Sequence, residues 1–70
     1  MKISARNVIK GTVVKVTHGT VNTEVLLELP GGAQIVSIIT KESAMSLGLA
    51  VGKQAYAVIK ASNVMIGVDD

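Results

Sequence analysis

The chain has 70 residues, 49% of them apolar, with a net charge of +2, no cysteine, one histidine and Tyr56 as its single aromatic residue. These totals exclude disulfides, leave too few ligands for a conventional zinc site, and remove the aromatic platform on which single-stranded nucleic acid stacks. No apolar run nears the roughly 20 residues of a membrane helix.

A single domain over residues 1–70 is small enough to bury only about 60% of its unfolded surface, and chains of that size without disulfides or metal lean on partner subunits. The start, MKISARN, carries Lys2 and Arg6 without an apolar signal core between them and a cleavage site. The expectation is a cytoplasmic protein with no membrane partner.

Val8 to Thr17 is rich in β-branched residues, which suit a pleated surface, and reads as a first strand with a bulge or bend at Gly11. His18-Gly19 reads as a tight turn in which the glycine supplies positive φ. Val21 to Leu29 follows as a second strand, with Val21, Val25, Leu27 and Leu29 on one face. Pro30-Gly31-Gly32 is the next turn. Ala33 to Thr40 is a third strand whose apolar residues fall on both faces, so both faces should be covered.

TKESAMSLG then predicts two turns of helix, with Thr40 as N-cap and Gly48 closing it in the left-handed conformation. Lys53 to Lys60 makes a fourth strand, Ala61 to Asn63 a turn, and Val64 to Val68 a short fifth strand before a solvated Asp69-Asp70. The fold class is therefore all-β: a five-stranded OB-fold Greek-key barrel with one short helix between strands three and four. An SH3-like barrel has similar strand content but usually lacks that helix.

The chemistry sits at element ends. A helix start offers unpaired N–H groups, and Thr40 and Ser43 add two hydroxyls at the same place, although ordinary capping is the commonest role of such residues. Arg6, between Ser4 and Asn7, carries a planar fork suited to an oxyanion, and Lys60 ends an apolar strand where a groove can form. A deprotonated tetrahedral dianion accepts hydrogen bonds and donates none. Its pocket should hold donors and positive charge without a carboxylate, and Ser4, Arg6, Thr40, Ser43 and Lys60 meet that rule, with Glu42 required to point elsewhere. A lone turn histidine such as His18 is more often solvated than functional. No nucleophile–base set or carboxylate pair at a recognisable spacing supports catalysis, so no enzyme activity is expected.

The strings SARN (4–7), SIIT (37–40) followed by ES (42–43), LGL (47–49), and VIKAS (58–62) leading to VMI (64–66) resemble the molbindins, the small Mop-type molybdate-binding proteins. The resemblance runs from Lys2 to about Val68. It implies OB-fold subunits assembled as a homo-hexamer, a trimer of dimers. Such subunits hold molybdate or tungstate by hydrogen bonds at their interfaces, without a metal–protein bond and without a cofactor. It assigns the main site to Ser4, Arg6, Thr40, Ser43, Lys60 and the backbone of Ala61, with Ala5 and Lys41 as neighbours whose main chain takes part. A second class of site near the threefold axis falls on His18, Gly19, Thr20, Val21 and Asn22.

The expected role is storage and homeostasis of molybdenum inside the cell. Two other readings make different predictions. A nucleic-acid-binding module, disfavoured by the lack of aromatics and the charge of only +2, predicts affinity that falls steeply with salt. A pure assembly module predicts an oligomer indifferent to oxyanions.

Overall fold

The computed structural model describes residues 1–70. Four antiparallel strands, β1 (Asn7–His18), β2 (Asn22–Glu28), β3 (Gln34–Thr40) and β4 (Gln54–Ile59), form one curled sheet in the order β3-β2-β1-β4. A short helix, α1 (Lys41–Ser46), lies between β3 and β4, and a 3-10 turn, η1 (Ala61–Asn63), follows β4.

The length of β1 organises the sheet. Its first half, Asn7 to Thr12, pairs with β4, and its second half, Thr12 to His18, pairs with β2. The strand changes partner around Gly11, where an added Cβ would lie 2.6 Å from the Glu28 carbonyl oxygen and 2.9 Å from Leu27 Cγ. Gly11 is there because another backbone passes too close for a side chain. The bulge itself falls further on, where the register slips between Val13 and Lys15.

The turns bear out most of the sequence reading. Gly31 (φ 92°) and Gly32 (φ 95°) make the β2–β3 turn, closed by Leu29 N–H donating to the Ala33 carbonyl at 2.7 Å. Gly19 differs from expectation, since its φ is not positive; a Cβ there would meet the Asn22 carbonyl oxygen at 2.9 Å. It serves close approach, with its own N–H donating to that carbonyl at 2.7 Å.

Thr40 caps α1 as expected, with extended backbone (φ −67°, ψ 148°), and Gly48 ends the helical segment at φ 63°. Val13, Val25 and Leu27 form the buried core, with Ile35, Ile39, Leu49, Ala55 and Ala57 half-buried around it. Only six residues are buried, a core too small to hold such a chain comfortably.

One expectation is corrected. Val64–Val68 pairs with no strand of the chain, so the strand count is four and the barrel is not closed between β3 and β4. A strand needs a neighbour for its backbone donors and acceptors, and this segment runs out into solvent with Met65, Ile66 and Val68 at 93%, 87% and 89% exposure. The outer face of β3 is uncovered within one chain, since a single barrel covers only one face of its strands: Val36 and Ile38 are 60% and 66% exposed.

Candidate functional site

The ladder between β1 and β4 ends with Asn7 opposite Ile59, so the residues just beyond, Arg6 and Lys60, emerge side by side at one edge. The Asn7 side-chain amide fastens that corner by donating to the Ile59 carbonyl at 3.2 Å. Ser4, Ala5, Arg6, Lys60 and Ala61 line one depression there, together with Ser62 and Asn63. No carboxylate lines it.

The seven hydrogen bonds that involve side chains leave the Arg6 guanidinium and Lys60 ammonium uncommitted. A 3-10 turn leaves its first amides without intrahelical partners, which places the Ala61 and Ser62 N–H groups at the same corner; the Asn63 N–H is already given to the Lys60 carbonyl at 2.9 Å. Ser62 and Asn63 are the residues that sequence reasoning did not select. Their signal was the polar stretch after β4, Lys60-Ala61-Ser62-Asn63, interrupted only by Ala61.

Thr40, Lys41 and Ser43 lie elsewhere. Thr40 pairs with Asn22, and the next pair inward on β2 leads to His18 at the far end of β1. The 12-residue length of β1 therefore lies between the two groups, about 36 Å of chain at most, at ~3.3 Å per residue.

At that far end the Ser43 N–H donates to Thr40 Oγ1 at 3.1 Å, while the Thr40 hydroxyl donates to Ser43 Oγ at 2.7 Å. The capping role expected of Thr40 is thus filled, and the Ser43 hydroxyl, which accepts from Thr40, donates to no other group of the chain. Lys41 differs: its N–H donates to the Val21 carbonyl at 2.8 Å, so its main-chain donor is spent within the chain. Glu42 is exposed on the first turn between these donors.

The turn His18 to Asn22 abuts this second group through the same Val21–Lys41 bond. His18 Nδ1 and Thr23 Oγ1 share a hydrogen bond of 2.8 Å, which satisfies the one polar side chain buried in the core region. His18, Thr20 and Val21 are themselves exposed.

The arrangement gives each chain two incomplete donor sets facing water at opposite ends. One is cationic, with Arg6, Lys60 and free amides; the other is a hydroxyl pair. Charges exposed in this way attract an anion only weakly, about 1 kcal/mol per unit pair at 4 Å in water.

Comparison with known proteins sets this geometry in a family. Residues 3–66 match the TOBE domain family, and a probable molybdenum-pterin-binding protein of Haemophilus influenzae is 48% identical over 69 residues, 99% of this chain and 100% of its own length. The chain belongs to the TOBE domain family.

Among solved structures of comparable fold, MopII from Clostridium pasteurianum superposes with a TM-score of 0.91 at 46% identity, covering 96% of this chain and 100% of that one. The cytoplasmic molybdate-binding protein ModG, solved with molybdate bound, gives 0.94 at 52% identity, covering 99% of this chain and 49% of that one. The curled, strand-dominated TOBE architecture with one short helix is thus shared with molybdate-binding proteins.

Proposed function

We propose that this TOBE-domain chain binds molybdate, and tungstate with it, as an oxyanion carrier that stores or buffers the anion in the cytoplasm. It does so without a cofactor and without catalysis. The observation that carries the reading is the carboxylate-free corner where Arg6 and Lys60 meet the Ala61 and Ser62 amides, in a chain about half identical to a protein solved with molybdate bound.

The site is completed by a second copy. Ser4, Ala5, Arg6, Lys60 and Ala61 of one chain face Thr40, Ser43 and the Lys41 neighbourhood of another, because one chain holds the two sets too far apart to share a single anion. The assembly is a homo-hexamer, a trimer of dimers. It covers the exposed Val36 and Ile38 of β3, and it gives Val64–Val68 a sheet edge on which to form the fifth strand and close the OB barrel. The His18–Asn22 turn is kept as a second class of anion contact near the threefold axis, on the strength of the family resemblance.

Selectivity follows from shape and charge. A cavity of hydroxyl, amide, guanidinium and ammonium donors accepts a fully deprotonated tetrahedral dianion, and its size separates molybdate and tungstate from the smaller sulfate. Native mass spectrometry with molybdate, tungstate, sulfate and a single-stranded oligonucleotide tests this in one experiment. Six subunits carrying molybdate or tungstate in preference to sulfate is the expected spectrum; a lone subunit, empty oligomers, or oligonucleotide capture in place of oxyanion contradicts it.

A further inference from the structure

α1 is six residues long and buries only Ala44, too short to hold its place by its own helical bonds. At its front, Lys41 N–H is tied to the Val21 carbonyl of the turn leading into β2. At its rear, Lys53 Nζ donates to the Leu47 carbonyl at 2.6 Å and the Gly48 carbonyl at 3.3 Å. These are the only side-chain hydrogen bonds that reach the helix segment from another part of the fold.

Lys53 itself is fixed. Its carbonyl accepts from the N–H of Val13, the fully buried centre of β1, at 2.9 Å, and the neighbouring Gly52 N–H donates to the Val13 carbonyl at 2.8 Å. From Leu47 the bonding continues forward: Leu47 N–H donates to the Ser43 carbonyl at 3.0 Å, Ser46 Oγ donates to the same carbonyl at 3.2 Å, and Ser43 is locked to Thr40 through both its N–H and its hydroxyl. A continuous chain of hydrogen bonds therefore runs from the core of β1, through the Lys53 side chain, to the Thr40–Ser43 hydroxyl pair.

We propose that Lys53 is a positioning residue for oxyanion binding: it sets where the Ser43 hydroxyl stands by anchoring the rear of α1 to β1, and does not touch the anion. This inference rests on the oxyanion reading above. Exposed lysine–carbonyl bonds contribute modestly to folding, whereas a shift of a fraction of an ångström in one donor weakens an anion contact directly.

The test is a double-mutant cycle on the assembled protein, read by calorimetric titration with molybdate, with thermal unfolding alongside. Lys53→Met keeps the apolar stem and removes the donors; its affinity is expected to fall about five-fold, with Lys53→Arg restoring most of it. In a Ser43→Ala background the Lys53→Met change should cost nothing further. Should Lys53→Met fail to assemble, Lys53→Gln, which keeps an uncharged donor, takes its place and is expected to fall between Met and the parent. Equal losses with and without the Ser43 hydroxyl, or unchanged affinity while the parent binds, overturn the positioning role. A parent protein that takes up no molybdate overturns the oxyanion reading itself, and this inference with it.

Discussion

At the scale of single residues, the chemistry divides between charges that act by being uncommitted and glycines that act by being small. The Arg6 and Lys60 side chains have no hydrogen-bond partner within the chain, so removing either should leave the fold intact and the anion under-coordinated. Arg6→Ala and Lys60→Ala are each expected to weaken molybdate binding by about 1.5–3 kcal/mol, the range for hydrogen bonds to charged groups, in equilibrium titration; unchanged affinity in both would remove them from the site. Gly11→Ala is the opposite case. Its methyl group would meet the Glu28 carbonyl oxygen at 2.6 Å, so a loss of about 1–3 kcal/mol of stability is expected from overpacking, seen as a lower unfolding midpoint in denaturant. Sequence reading placed Arg6 and Lys60 correctly at strand ends because apolar runs stop beside them. It gave Gly19 the wrong reason, since composition signals that a glycine is needed but not whether positive φ or a passing backbone needs it.

At the scale of elements, the helix and its two ends were the most legible part of the chain. Thr40, Gly48 and the short run between them are local signals, and local hydrogen bonds decide them. Gly48 holds φ 63°, which costs a residue with a side chain about 1–2 kcal/mol. Gly48→Ala is therefore expected to destabilise the protein by that amount and to loosen α1, measurable as faster amide exchange at Ser46 and Leu47; unaltered exchange would show that the left-handed turn does not hold the helix. The fifth strand was not legible in the same way. Val64–Val68 has the residue types of a strand, but strand formation depends on a neighbouring edge, and no edge of its own chain reaches it. The pattern of residues reports what a segment would accept; the pairing partner decides what it becomes.

At the scale of the whole molecule, six buried residues, an open sheet and apolar side chains along the outer faces of β3 and β4 are what the proposed assembly would cover. Stability should then depend on protein concentration, because association stabilises the folded form by mass action. Placing charge on the outer face with Ile38→Glu is expected to dissociate the assembly and lower its thermal midpoint, as read by sedimentation and calorimetry; a variant that sediments like the parent would exclude β3 from the interface. The same logic explains the separated donor sets, since neither end of one chain encloses an anion. Complementation of defective subunits tests this most directly. Chains carrying Arg6→Ala and Lys60→Ala are mixed and co-refolded with chains carrying Thr40→Ala and Ser43→Ala, and molybdate is counted in the hybrid assemblies by native mass spectrometry. Neither parent assembly should retain molybdate while the hybrids regain it at a fraction of their sites; hybrids that form and stay empty would contradict a site built from two chains.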